Sequence, residues 1–137
     1  MNIAIVYDSK TGKTAKAAET MGEILEEHGH QCQVQSITEA DPTTVLEADL
    51  ICVGTWVKGL FIIFQHPNPE SFLFINKLGD LTGKQVVVYC TYLLAAGSTL
   101  SQMVDFVESK GGKVVGQFKY RGPKPNKEFA SYAGSLT

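Results

Sequence analysis

Residues 3–14 read IAIVYDSKTGKT, and the way this stretch changes character halfway along decides the fold. Ile3, Ala4, Ile5, Val6 and Tyr7 form an unbroken apolar run with no alternation, the pattern of a strand covered on both faces. At Asp8 the run gives way to a polar turn that holds the hydroxyls of Ser9 and Thr11, then Gly12, Lys13 and Thr14. Beyond it Ala15, Ala18, Met21, Ile24 and Leu25 recur at helical spacing, with Gly29 placed to end the helix. A buried strand, a glycine-bearing turn and the amino end of a long helix together make a site for an anion. Backbone N–H groups and hydroxyls donate, the helix dipole favours negative charge, and Gly12 lets the backbone approach closely. The same residues serve equally well as an ordinary capped helix, since Ser and Thr are common at helix starts.

Outward from this unit the pattern repeats. Residues 50–54, 86–91 and 114–118 are further apolar runs, and residues 32–37 make a more polar strand suited to an edge. Between them Asp41-Pro42 opens a short helix to Leu46, Pro69-Glu70 opens one to Leu78, and Ser98 or Thr99 caps one that Gly111-Gly112 terminates. A closing helix of about two turns falls around residues 129–133. Strands alternating with helices predict an α/β fold: a doubly wound, five-stranded parallel sheet with helices on both faces and a short last helix. A length of 137 residues with 44% apolar content predicts one domain over residues 1–137.

Composition narrows the function. A net charge of -2 and a pI near 5.9 give no concentrated basic surface, so neither nucleic acid nor membrane is expected as partner. The start of the chain has the look of a core strand rather than a leader, and no apolar stretch is long enough to span a bilayer. Cys32, Cys52 and Cys90 form no C-x-x-C pair and read as small core hydrophobes, which fits a reducing, cytoplasmic setting. His66 stands alone beside Pro67, so no metal site is expected.

In a doubly wound sheet the ligand lies beyond the carboxyl ends of the strands, near the switch in strand order. The Gly12-Lys13-Thr14 end of the first loop invites comparison with nucleoside triphosphatases, but Tyr7 stands where that motif needs its first glycine. A phosphoacceptor domain needs an aspartate at the end of the third strand, where Gly54-Thr55 stands. Ser9-x-Thr11-Gly12-x-Thr14 after the first strand, followed by Gly54-Thr55-Trp56 after the third, instead resembles the phosphate loop and first flavin-stacking loop of the flavodoxin family. The resemblance runs over residues 2–118 and implies the flavodoxin-like strand order 2-1-3-4-5. It implies FMN as cofactor, with Ser9, Lys10, Thr11, Gly12, Lys13 and Thr14 around the phosphate. Trp56 would stack on the isoalloxazine within a loop of Thr55, Val57, Lys58 and Gly59, and Thr91, Tyr92, Leu93 and Gly97 would follow the fourth strand on the other side.

The chain departs from the family in ways that bear on its chemistry. The loop after strand four reads TYLLAAG from Thr91, with no acidic residue and no aromatic at the usual second stacking position, which falls near Gly97. Tyr92 either reaches the flavin or caps the core. Residues 58–70 make a long connection bearing Leu60, Phe61 and Phe64 near the expected flavin edge, a lid, a partner surface or local packing. Lys10, Lys13 and Lys58 offset Asp8 and Glu70, so fully reduced, anionic FMN should form more easily than in acidic flavodoxins. Val57, where a glycine usually follows the aromatic, points to a two-electron habit. The expected function is electron transfer between redox partner proteins by a monomer or weak homodimer, with no catalytic residue of its own. A small FMN-dependent NAD(P)H or quinone reductase is the alternative, and a flavin-free module of the same fold is the third.

Overall fold

The structure is a computed structural model that describes residues 1–60 and 63–136. In chain order the elements are β1 (Asn2–Tyr7), α1 (Lys13–Glu27), β2 (Gln31–Ser36), α2 (Pro42–Leu46), β3 (Leu50–Leu60), β4 (Ile63–Pro67), α3 (Pro69–Leu78), β5 (Gln85–Tyr92), α4 (Thr99–Ser109), β6 (Lys113–Arg121) and α5 (Lys127–Ser135). Strands β2-β1-β3-β5-β6 form the parallel sheet in that order, and β4 pairs with β3 off this path. The five strands expected from the apolar runs are therefore present in the expected permutation, with a sixth that the sequence reading placed in a loop.

Alternation along each strand divides the core. Ile3, Ile5, Cys52, Val87, Tyr89, Phe118 and Tyr120 face α1 and α5, whereas Ala4, Val6, Ile51, Val53, Val86 and Val88 face α2, α3 and α4. Each central strand thus buries both faces, which is why its sequence shows no polar alternation. The edge strand β2 does alternate. Cys32 and Val34 pack toward α1, and Gln31 and Gln33 border an open groove of about 420 Å³ beside the five-residue α2, too short to cover that face.

Helix ends follow local chemistry. The α1 helix stops in a left-handed Gly29 at φ 89°, with Gly29 N–H donating to the Glu26 carbonyl and His30 N–H to the Leu25 carbonyl, which satisfies carbonyls the helix would leave open. Asp41 caps α2 by accepting from Thr43 N–H at 3.2 Å. Ser98 occupies the N-cap of α4 but its hydroxyl makes no capping bond, accepting instead from the Gln102 amide at 2.9 Å. The closing helix α5, capped by Asn126 through Phe129 N–H, runs nine residues and exceeds the two turns expected.

The main difference from expectation lies after Gly54. Strand β3 continues to Leu60 and turns back as β4, pairing Val57 with Pro67, Lys58 with His66 and Leu60 with Ile63 across an irregularity at Gly59. Trp56 consequently lies in a strand, opposite Thr91 of β5, and not in a loop. Gly59 sits where an added Cβ would meet the Gln65 Cα and the Phe64 carbonyl oxygen at 3.0 Å, so the hairpin's close approach requires glycine.

Candidate functional site

At the carboxyl ends of β1, β3 and β5 a cleft of about 230 Å³ is lined by Lys10, Thr11, Lys13, Thr14, Trp56, Val57, Thr91, Tyr92 and Leu93. Its polar walls are hydroxyls and ammonium groups, and no carboxylate lines it. The start of α1 opens into it. Gly12 takes φ 92° at the N-cap, and because glycine has no side chain, the hydroxyl of Ser9 does the capping, accepting from Gly12 N–H at 3.1 Å and from Ala15 N–H at 3.3 Å. The N–H groups of Lys10, Thr11, Lys13 and Thr14 make no hydrogen bond within the described residues. Four free amides at the positive end of a 15-residue helix, with two lysines beside them, attract a dianion.

The hydroxyls divide their work. Thr11 is exposed and free to donate. Thr14 is buried, and its Oγ1 lies 2.6 Å from Thr91 Oγ1, so this pair ties α1 to β5 beneath the cleft floor. Ser9 acts through its capping bonds and does not line the cleft.

Trp56 forms one wall, half-buried, with Lys10 Nζ 5.0 Å and Lys58 Nζ 6.0 Å from its ring centroid. Behind it lies a polar network. The Asn68 side-chain amide donates to Asp8 Oδ2 at 2.6 Å, Asn68 N–H donates to Thr55 Oγ1 at 3.1 Å, and Thr55 Oγ1 donates to the Trp56 carbonyl at 2.9 Å. Ser71 Oγ closes the set on the Asn68 carbonyl at 2.7 Å. Burial pushes the Asp8 carboxyl above its ordinary range and Glu70 adds to this, while the Asn68 amide and the Trp56 indole N–H pull it back.

Several expected residues stand elsewhere. Thr55 is fully buried and engaged in this network, Gly59 shapes the hairpin, and Lys58 reaches the cleft only through the Trp56 ring. Gly97 lies against β4, where an added Cβ would come within 2.8 Å of the Gln65 Cβ, so β4 fills the space in which a second stacking aromatic would otherwise stand. Phe61 falls outside the described residues. Asn68 and Ser71 escaped the reading of the loops, and Asp8 was read there only as a charge near the flavin, not as the partner of Asn68. Asp8 and Asn68 are 60 residues apart, and the one available signal was a carboxylate between an apolar strand and the hydroxyl-rich turn.

A doubly wound sheet whose switch-point cleft pairs a helix start free to bind phosphate with an aromatic wall defines a nucleotide-binding α/β protein. The flavodoxin family model matches residues 5–127, and the chain belongs to the flavodoxin family. It is similar to two-electron reduced Megasphaera elsdenii flavodoxin, with a TM-score of 0.79 at 21% identity over 98% of this chain and 99% of that one. A flavodoxin from the domain Archaea gives 0.75 at 20% identity, covering 99% and 93%, and oxidised flavodoxin 2 from Bacillus cereus gives 0.71 at 23% identity, covering 98% and 93%. No curated protein matches the sequence. Membership makes this an FMN-binding electron-transfer protein, and the donor set fits that cofactor: donors and cations for the phosphate, Trp56 for the ring. Among the described residues no helix is long and apolar enough to cross a membrane.

Proposed function

We propose that this chain is a carrier that holds the FMN phosphate at residues 10–14 and the flavin ring against Trp56, and exchanges electrons with redox proteins in the cytoplasm as a monomer. The observation that carries the reading is a cleft whose polar groups are all donors or cations on one side and whose other side is an indole. FMN supplies the redox chemistry. The chain's residues bind, orient and shield. The free amides of Lys10, Thr11, Lys13 and Thr14 and the Thr11 hydroxyl take the phosphate oxygens, each charge-assisted bond being worth about 1.5–3 kcal/mol. Asp8 and Asn68 hold the indole and its strand in place. The cleft is bordered by the exposed Leu93, so an edge of a ring held there is reachable for electron exchange.

The exposed Leu93-Leu94 turn and the lack of an aromatic at the usual second stacking position near Gly97 favour one further reading, a reductase whose uncovered flavin face admits a nicotinamide or quinone. The visible spectrum of the purified protein tests both. A carrier shows a bound-flavin band that NADH or NADPH alone leaves unbleached. Bleaching by either nucleotide selects the reductase, and absence of flavin after incubation with FMN contradicts both.

A further inference from the structure

The cleft is flanked by apolar side chains that the fold leaves in solvent. Among the described residues six large hydrophobics are exposed, and four of them, Ile63 (52%), Phe64 (76%), Leu93 (69%) and Leu94 (52%), stand on the two segments beside the cleft. These segments adjoin. Gln65 packs against Gly97, and the Gln102 amide donates to the Gln65 carbonyl at 3.2 Å. Phe64 also has φ 58°, a left-handed conformation unfavourable for a bulky residue, which here holds an aromatic ring in water.

Charge surrounds the same patch. Lys10 and Lys58 lie over Trp56, and Arg121 Nε donates to the Leu93 carbonyl at 3.3 Å. Bound phosphate offsets the charge of Lys10, Lys13 and the helix start, and leaves Lys58 and Arg121 without ionic partners among the described residues. The nearby carboxylates include Asp8, which is buried and engaged, Glu70 beside it, and Glu128, which shares a groove with Tyr92, Gly97 and Lys119. With a net charge of -2 on the whole chain, the excess acid lies elsewhere, as on α1 with Glu19, Glu23, Glu26 and Glu27.

We propose that this face docks an acidic electron-transfer protein whose carboxylates surround an apolar centre. The proposal rests on the placement of FMN in the cleft. Charge complementarity selects this occupant, since cations around an apolar centre orient an acidic partner with the open flavin edge toward it. A second copy fits poorly, because a two-fold contact would set Lys10 and Lys58 against their own counterparts.

The test uses the FMN-loaded chain and a plant-type [2Fe–2S] ferredoxin as the acidic probe, with binding followed by calorimetry and FMN retention by the visible band. Binding should weaken about tenfold between about 20 mM and about 200 mM salt. Arg121→Glu and Phe64→Asn, both outside the cofactor cleft, should each weaken it about tenfold while the protein stays yellow. Reduced ferredoxin should pass one electron from its cluster to oxidised FMN, leaving the cluster oxidised, with the same salt dependence. Retained FMN with no ferredoxin binding, tighter binding of cationic cytochrome c, or insensitivity to both substitutions overturns the docking. So does a preference for phosphatidylglycerol vesicles, or self-association through this face in sedimentation. Ferredoxin binding by a chain that fails to take up FMN overturns the cofactor placement and leaves the docking face standing.

Discussion

Asp8 carries a charge in a place that disfavours it. Its carboxyl is buried beside Glu70, so its pKa in the folded chain lies above the ordinary 3.8. A carboxyl raised on folding makes the native state bind more protons than the unfolded one, so stability falls as pH rises from about 3.8 through the folded value. Asp8→Asn removes this loss and keeps an oxygen to accept from Asn68 or Trp56. The variant should melt at a higher temperature than the wild type at pH 7, and the gap should close toward pH 3; a wild type that is the more stable at pH 7 contradicts this. Trp56→Ala should weaken FMN binding by about tenfold, an aromatic pair being worth about 0.5–1.5 kcal/mol beyond its burial, and should restore flavin fluorescence. Equal affinity and equal emission would remove Trp56 from the cofactor. The sequence identified Trp56 by its isolation among polar neighbours, but its partners were illegible because Asp8 and Asn68 come from two different loops that only the fold brings together.

At the scale of elements, strands whose apolar runs are buried on both faces were readable. The β3–β4 hairpin was not. Beyond Gly54 the chain reads Thr-Trp-Val-Lys-Gly, without the alternation of a half-buried strand, and its turn lacks the Asn-Gly or Asp-Gly pair that marks a tight hairpin. Gly54 itself owes its place to packing. A Cβ there would lie 2.0 Å from a ring carbon of Tyr89, whose hydroxyl donates to the Val6 carbonyl in the core. Gly54→Ala should therefore destabilise the fold by about 1–3 kcal/mol in chemical denaturation, with or without FMN. The hairpin tip behaves in the opposite sense. Phe64→Gly relieves the left-handed strain and should add about 1 kcal/mol of stability, so an unchanged or lower midpoint would show that Phe64 is not held against its preference.

The whole molecule joins an acidic body to a cationic cleft. Alternation of apolar strands with helices was legible, the permutation came with the family resemblance, and the order β2-β1-β3-β5-β6 brings the carboxyl ends of β1 and β3 together at the switch point. The helix start proposed to hold the phosphate was legible because a helix start donates through its backbone whatever its side chains are. Thr14 shows where that reading falls short, since a buried hydroxyl bonded to Thr91 of β5 braces the cleft from beneath. The cationic rim bears on redox tuning. At an effective dielectric near 20, a unit charge about 8 Å away contributes roughly 2 kcal/mol, so Lys10 and Lys58 favour the added negative charge of reduced FMN. Lys58→Glu should lower the potential for full reduction in anaerobic titration, and an unchanged potential would place Lys58 beyond electrostatic reach of the ring.

The central claim is that the start of α1 anchors a phosphate while Trp56 meets the ring, and equilibrium titration of the flavin-free protein with FMN and with riboflavin tests it most directly. Two charge-assisted bonds of about 1.5–3 kcal/mol each predict that FMN binds at least about a hundredfold more tightly than riboflavin. Thr11→Ala should narrow that gap by weakening FMN alone. Equal affinities for the two flavins, in wild type and variant, would show that residues 9–14 only cap a helix and would contradict the account.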